Sequence, residues 1–189
     1  MTVPTCQVAI VGPGPYGLAA AAHLRSANVD VRVFGKAMEF WDRQMPAGML
    51  LRSYWEGSHI SDPQGDLTLD EYQRACGAQL ARPVRLNDFV KYGQWFQRRA
   101  VPDLDSRRVK RIDATSKCFR MTLEDGEAIW ARQVVVATGI ASFARRPSLL
   151  HDRRGEVNGR RHPRTIVDPY FGRAERIRTS DLLTPSQAR

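Results

Sequence analysis

Hydrophobic and polar positions follow two different periods along this chain. Residues 7–11 (QVAIV) form a short β-branched run and predict a strand. The run ends in Gly12-Pro13-Gly14-Pro15-Tyr16-Gly17, and the alanine-rich residues 18–25 that follow predict a helix. Pro15 suits its first turn, where the missing N–H is not needed. Residues 29–34 (VDVRVF) alternate apolar and polar and predict a second strand, parallel to the first, so the chain opens as a βαβ unit.

Residues 35–64 keep no sustained period and read as a long, partly ordered connection of the type that covers a ligand. A helix is predicted over 67–80, with Asp66 or Thr68 as N-cap and Gly77 near its end. A second is predicted over 86–99, capped by Asn87 or Asp88, with Phe89, Val90, Trp95 and Phe96 as its apolar side. Residues 108–113, 118–123 and 128–131 are short strand-like runs, and Asp125-Gly126 between the last two is a hairpin signal. Residues 133–137 (QVVVA) have the near-continuous apolar character of a strand buried on both faces, and Thr138-Gly139 ends it. After Pro147 the periodicity stops, and no internal repeat is visible.

Composition narrows the class. The chain has 189 residues, 42% hydrophobic and 26% charged, which suits one ordinary domain and is too short for two nucleotide-binding domains plus a substrate domain. No run of 18 apolar residues exists to cross a bilayer, and the first basic residue is Arg25, so a signal peptide and a membrane partner are not expected. Three scattered cysteines (Cys6, Cys76, Cys118) offer neither a disulfide framework nor a metal site and fit a reducing cytoplasm. The net charge is +9, and residues 151–189, with nine arginines against five acids, hold +4 of it. No nucleic-acid fold signature accompanies that excess, so a nucleic-acid partner is not the favoured reading.

The candidate chemistry lies in Gly12-x-Gly14-x-x-Gly17. Three glycines at this spacing let a strand turn sharply, let the backbone approach a pyrophosphate and let the helix pack on the sheet, with helix N–H groups facing the phosphates. The acid expected about 20 residues beyond the glycines, to hold ribose hydroxyls, is missing: Gly35 and Lys36 stand there. Two readings remain open. Glu39 substitutes through the following turn, which is the preferred reading, or Lys36 favours a 2′-phosphate as in NADP.

The Gly12–Gly17 fingerprint, the Asp-Gly hairpin and Val134-Val135-Val136-Ala137-Thr138-Gly139 occur in that order. Together they resemble the FAD-binding half of flavin-containing and N-hydroxylating (lysine/ornithine N-oxygenase-like) monooxygenases, within the two-dinucleotide-binding-domain flavoproteins. Met45-Pro46-x-Gly48-Met49-Leu50-Leu51-Arg52-Ser53 is similar to the segment after the second strand in the N-oxygenase-like group. The resemblance covers about residues 5–148. It implies an α/β, Rossmann-like FAD/NAD(P)-binding domain, a parallel sheet with a βαβ start and a small antiparallel β-meander.

The same resemblance implies FAD as cofactor and NADPH as co-substrate of intact relatives. Gly12, Gly14 and Gly17 would cradle the pyrophosphate, with Pro15 and Tyr16 beside it. Trp41 and Arg52 match positions on the flavin side, Val109 the strand against the adenine, and Ala137, Thr138 and Gly139 a second passage close to the cofactor. Each has a plainer alternative: Trp41 and Val109 as core, Arg52 as surface charge, Thr138-Gly139 as a strand end, Glu39 as a solvated acid. No catalytic group and no metal ligand set is assigned, and substrate and oligomeric state stay open.

The likeness stops near Leu149. A second glycine-rich unit for NADPH is not found, and arginine outnumbers lysine 25 to 4 (Lys36, Lys91, Lys110 and Lys117 are the lysines). The expectation is a partial binding domain over 1–148 and an Arg-rich tail over 149–189 that is disordered, or non-native through a frameshift or truncation. The leading function is the FAD-binding portion of an NADPH-dependent monooxygenase, unable to complete a cycle alone. The alternative is a stand-alone, non-enzymatic module for FAD or NAD(P).

Overall fold

The computed structural model describes residues 5–140; the readings on 149–189 lie outside them. The opening unit forms as the pattern predicts: β1 (Cys6–Val11), α1 (Pro15–Ser26) and β2 (Val31–Phe34). β1 and β2 are parallel, with Val8 opposite Val31 and Val11 opposite Phe34. Short elements follow: α2 (Glu39–Gln44), one 3-10 turn (Glu56–Ser58), and the helices α3 (Leu69–Cys76) and α4 (Leu86–Ala100). Then come β3 (Val109–Ala114), β4 (Phe119–Leu123) and β5 (Ala128–Val136). Together the strands form one mixed five-stranded sheet in the order β2-β1-β5-β4-β3, with β1 parallel to both neighbours and β3, β4 and β5 antiparallel.

β5 explains how the parallel and antiparallel parts join. The pattern suggests two strands, 128–131 and 133–137, because Arg132-Gln133 breaks the apolar run. The backbone makes one nine-residue strand that changes partner. Its first part pairs with β4 as far as Ala131 opposite Phe119, and from Ala131 opposite Cys6 it runs beside β1 to Val136 opposite Val11. The expected burial on both faces does not hold. Val135 is 36% and Val136 51% exposed. β4 has already ended there, so beyond Ala131 the edge away from β1 meets no strand among the described residues.

Two apolar clusters sandwich the parallel strands. On one side Val8, Ile10, Val31 and Val33 meet Leu18 and Ala21 of α1, Leu69 and Tyr72 of α3, and Leu86, Phe89, Tyr92 and Phe96 of α4. On the other, Ala9, Val11 and Phe34 share a cluster with Met121, Leu123, Ile129 and Ala131 of the antiparallel strands. The antiparallel strands thus share one apolar cluster with that side of the parallel ones. Arg107 ties the β4–β5 hairpin to them: its guanidinium bonds Asp105, whose backbone is bridged to Phe34 at the β2 edge, and also Asp125 and Glu127 in the β4–β5 turn.

The Arg107 guanidinium holds the Asp105 carboxyl below its ordinary 3.8, with Arg32 a smaller contributor in the same direction. A depressed folded-state pKa contributes stability that is present above the ordinary value and lost as pH falls through the folded one. We expect Asp105→Asn to cost about 1–3 kcal/mol at neutral pH and to flatten the loss of stability below about pH 4. Urea unfolding of both proteins across acid pH checks this.

Capping separates the helices. Thr68 caps α3, its Oγ1 accepting from the Glu71 N–H at 3.3 Å, and Gly77 ends it in the left-handed region at φ 61°. Asp66 does not cap; its own N–H donates to Asp62. α4 starts neither at Asn87 nor at Asp88. Arg85 is its N-cap residue, without a side-chain bond, and an isolated bridge from Leu50 to Arg85 fixes the start, with the Leu86 N–H donating to the Met49 carbonyl.

Tyr92, fully buried on α4, donates to the Leu67 carbonyl at 2.7 Å and accepts from the Ile60 N–H at 3.0 Å. It thereby anchors the stretch before α3, and burial pushes its phenol up, so it stays a neutral donor. Tyr92→Phe leaves both backbone groups without that partner, and a loss of about 1–3 kcal/mol is expected in denaturant unfolding. No helix among the described residues is long and apolar enough to cross a membrane.

Candidate nucleotide site

The carboxyl ends of β1, β2 and β5 converge, and hydrogen bonds tie the loops that leave them. The Gly12 N–H donates to the Phe34 carbonyl at 3.0 Å, and the Ala137 N–H to the Val11 carbonyl at 2.7 Å. The Gly35 N–H reaches the Asp105 carbonyl at 2.8 Å, and the Met38 N–H reaches Pro13 in the glycine loop at 3.0 Å. In open α/β sheets the crevice beyond such strand ends is where ligands bind.

The three glycines stand there for different reasons. Gly12 has φ 104°, and a Cβ on it would lie 2.5 Å from the Ala137 carbonyl oxygen. It lets the turn pass against the end of β5. A Cβ on Gly17 would lie 2.1 Å from the Gly12 oxygen, so Gly17 lets α1 close onto its own turn. Gly14 is different. Its φ of −80° and ψ of −175° suit any residue, and a Cβ there would meet nothing within 4 Å. Neither backbone nor packing asks for glycine at 14. Glycine is favoured over alanine as an N-cap, and its missing side chain leaves the outer side of the loop open.

The groups facing that open space suit an anion. Gly14 is the N-cap of α1 and supplies no side-chain acceptor, Pro15 occupies the first turn, and no acid lies in that turn. Among the described residues no acceptor meets the N–H groups of Gly14, Tyr16 or Gly17. Free N–H groups and the positive end of a twelve-residue helix dipole then point the same way. Tyr16 is 86% exposed beside them.

The other site residues separate into those the fold gathers here and those it does not. Ala137, Thr138 and Gly139 leave β5 next to Gly12; Gly139, at φ 77°, sits where a Cβ would be 3.2 Å from the Phe40 ring. Glu39 begins α2 between Met38, bonded to the glycine loop, and Phe40. Val109 opens β3 and packs into the hairpin cluster opposite Leu123, a core position. Trp41 is half-buried and sets its ring edge-on to Phe89 of α4, centroids 4.9 Å apart. Arg52 is exposed, and no described contact brings it to the glycine loop.

The sequence reading missed Met38, Phe40 and Arg108. Met38 takes φ 60°, is 1% exposed, and threads its side chain against Gly93, where a Cβ would lie 2.5 Å from the Met38 Sδ. Glycine in the middle of an apolar helix face was the available signal. Arg108 donates to Glu39 across 69 positions of sequence, which no local pattern shows.

A βαβ start, a glycine turn at the switch of strand order and an antiparallel hairpin continuing the sheet define a dinucleotide-binding domain. The chain belongs to the pyridine nucleotide-disulphide oxidoreductase family, whose model matches residues 6–178. That match runs past Leu149, where the motif likeness ends.

No curated protein matches the chain. Among solved structures it is similar to a bacillithiol disulfide reductase from Staphylococcus aureus (19% identity, TM-score 0.57), over 72% of this chain and 39% of that one. A flavin-containing monooxygenase from Stenotrophomonas maltophilia is similar at 22% identity and TM-score 0.57, over 72% and 39%. A structure of OTEMO in complex with FAD and NADP is similar at 17% and 0.58, over 78% and 28%. At these identities the likeness concerns the fold, and the chain spans two fifths or less of these structures' lengths. Cys6, Cys76 and Cys118 are all free thiols, so no disulfide joins them.

Proposed function

We propose that this chain is the FAD-binding portion of a flavoprotein monooxygenase that uses NADPH as reductant. The observation that carries the reading is Gly14, a glycine that neither its dihedrals nor its surroundings require, placed between free helix N–H groups and the joined strand ends. In this reading the N–H groups of Gly14, Tyr16 and Gly17 hold the pyrophosphate, and Pro15 preorganises the turn. Ala137, Thr138 and Gly139 form the opposite wall, and Glu39 accepts from the adenosine ribose. On the family resemblance alone, Trp41 and Arg52 would stand toward the flavin and Val109 toward the adenine. Bound FAD supplies the electron-transfer and oxygen chemistry, while the protein positions it and limits water. The structural relatives support this: they include a flavin-containing monooxygenase and OTEMO in complex with FAD and NADP.

The test is to load the purified full chain with FAD and add NADPH without oxygen. Bleaching of the visible flavin band supports NADPH as the reductant, and oxygen transfer to an added substrate once air is readmitted separates a monooxygenase from a reductase. Bound FAD that NADPH does not bleach supports a nucleotide-holding module that needs another polypeptide for reduction. A folded chain that binds NADP but no FAD overturns the assignment.

A further inference from the structure

The end of β2, where this motif places an acid for the ribose, carries Gly35, which has φ 113° and no side chain to offer. Glu39 follows one tight turn later. That turn is tied to the glycine loop through Met38 and Pro13, and on its far side the Phe40 ring lies where a Cβ on Gly139 would be 3.2 Å away. Two arginines meet the Glu39 carboxylate on the same oxygen. Arg108 Nη2 donates to Oε1 at 2.6 Å from just before β3, and Arg43 Nη1 lies 3.5 Å from it on α2. No hydrogen-bond donor among the described residues meets Oε2. The side chain is only 23% exposed, so it is held rather than waving in solvent.

We propose that Arg108 is a positioning residue for ribose recognition: it grips Oε1 of Glu39 so that Oε2 is presented to the ribose hydroxyls of an adenine dinucleotide. The inference rests on the nucleotide reading above and assigns a task that reading leaves unfilled once Gly35 replaces the strand-end acid. A charged pair suits it. A carboxylate is acceptor-only, and two ribose hydroxyls are donors. Arg108 stands just before β3, 69 positions from Glu39 in sequence, so the antiparallel part of the sheet sets the acid's aim. A 2′-phosphate reader at Lys36 is the competing arrangement, and it needs no such aim.

The test uses ADP and 2′,3′-dideoxy-ADP as probes, titrated calorimetrically against the full chain. The wild type is expected to prefer ADP about tenfold, the scale of a hydrogen bond to a charged group. Glu39→Gln and Arg108→Met should each bring that preference close to one while leaving the thermal midpoint near the wild type. Their double variant should be no worse than either alone, and Arg108→Lys should recover part of the preference.

A full preference in Arg108→Met overturns the positioning role, as does a drop in affinity for both probes together with the thermal midpoint. Tighter binding of 2′,5′-ADP than ADP, lost in Lys36→Met, overturns it in favour of the phosphate reader. If the hydroxyl preference behaves as expected but FAD does not bind, the inference stands and the FAD assignment fails.

Discussion

Gly14→Ala is expected to leave the chain folded and to lower FAD affinity by about 100-fold or more, the cost of roughly 3 kcal/mol of lost fit. The added methyl meets no protein atom within 4 Å, and its backbone dihedrals lie in the ordinary extended region. Stability should therefore stay within about 1 kcal/mol of the parent: alanine is a poorer N-cap than glycine, but it lowers the entropy of the unfolded chain. The methyl would instead occupy the space through which a pyrophosphate reaches the helix N–H groups. Fluorescence titration with FAD, beside a thermal melt, separates the two effects. Equal FAD affinity in the variant would mean that nothing approaches Gly14.

Gly17→Ala should do the reverse. By helix propensity alone alanine at this position gains about 1 kcal/mol. The contact decides otherwise, because a Cβ 2.1 Å from the Gly12 oxygen meets backbone, not the tip of a movable side chain. α1 would have to lift from its turn and from Ile10 beneath it. A destabilisation of about 3 kcal/mol or more is expected, read as a lower midpoint in urea with or without FAD. Stabilisation would show that α1 does not close on its turn as described. One hexapeptide thus contains two glycines that the chain's own packing requires and one that it does not.

The local periods made much of this fold legible. Residues 7–34 name their βαβ unit because strand, glycine turn and helix each carry a local signal. The apolar face of α4 at Phe89, Val90, Trp95 and Phe96 is buried as its spacing implies, and Asp125-Gly126 turns the hairpin, with Gly126 at φ 92°. What stayed hidden depends on partners. β5 reads as two pieces because Arg132 and Gln133 stand where it leaves β4 and joins β1. Val135 and Val136 are exposed because burial depends on neighbours, and a strand's own apolar run says nothing of which neighbours it has. α2 has six residues, none of them buried, and begins at a left-handed methionine, so no period announces it. Glu39 could be named from spacing, but the arginine that holds it stands just before β3, 69 positions away in sequence.

The most direct test of the central claim is an absorbance titration of the purified full chain with FAD, alongside circular dichroism. The account predicts a saturable change in the visible flavin band at one FAD per chain, in a protein with the helix and strand signal of the α/β domain. A chain that is folded by circular dichroism and leaves the flavin spectrum unchanged at every FAD concentration would contradict it.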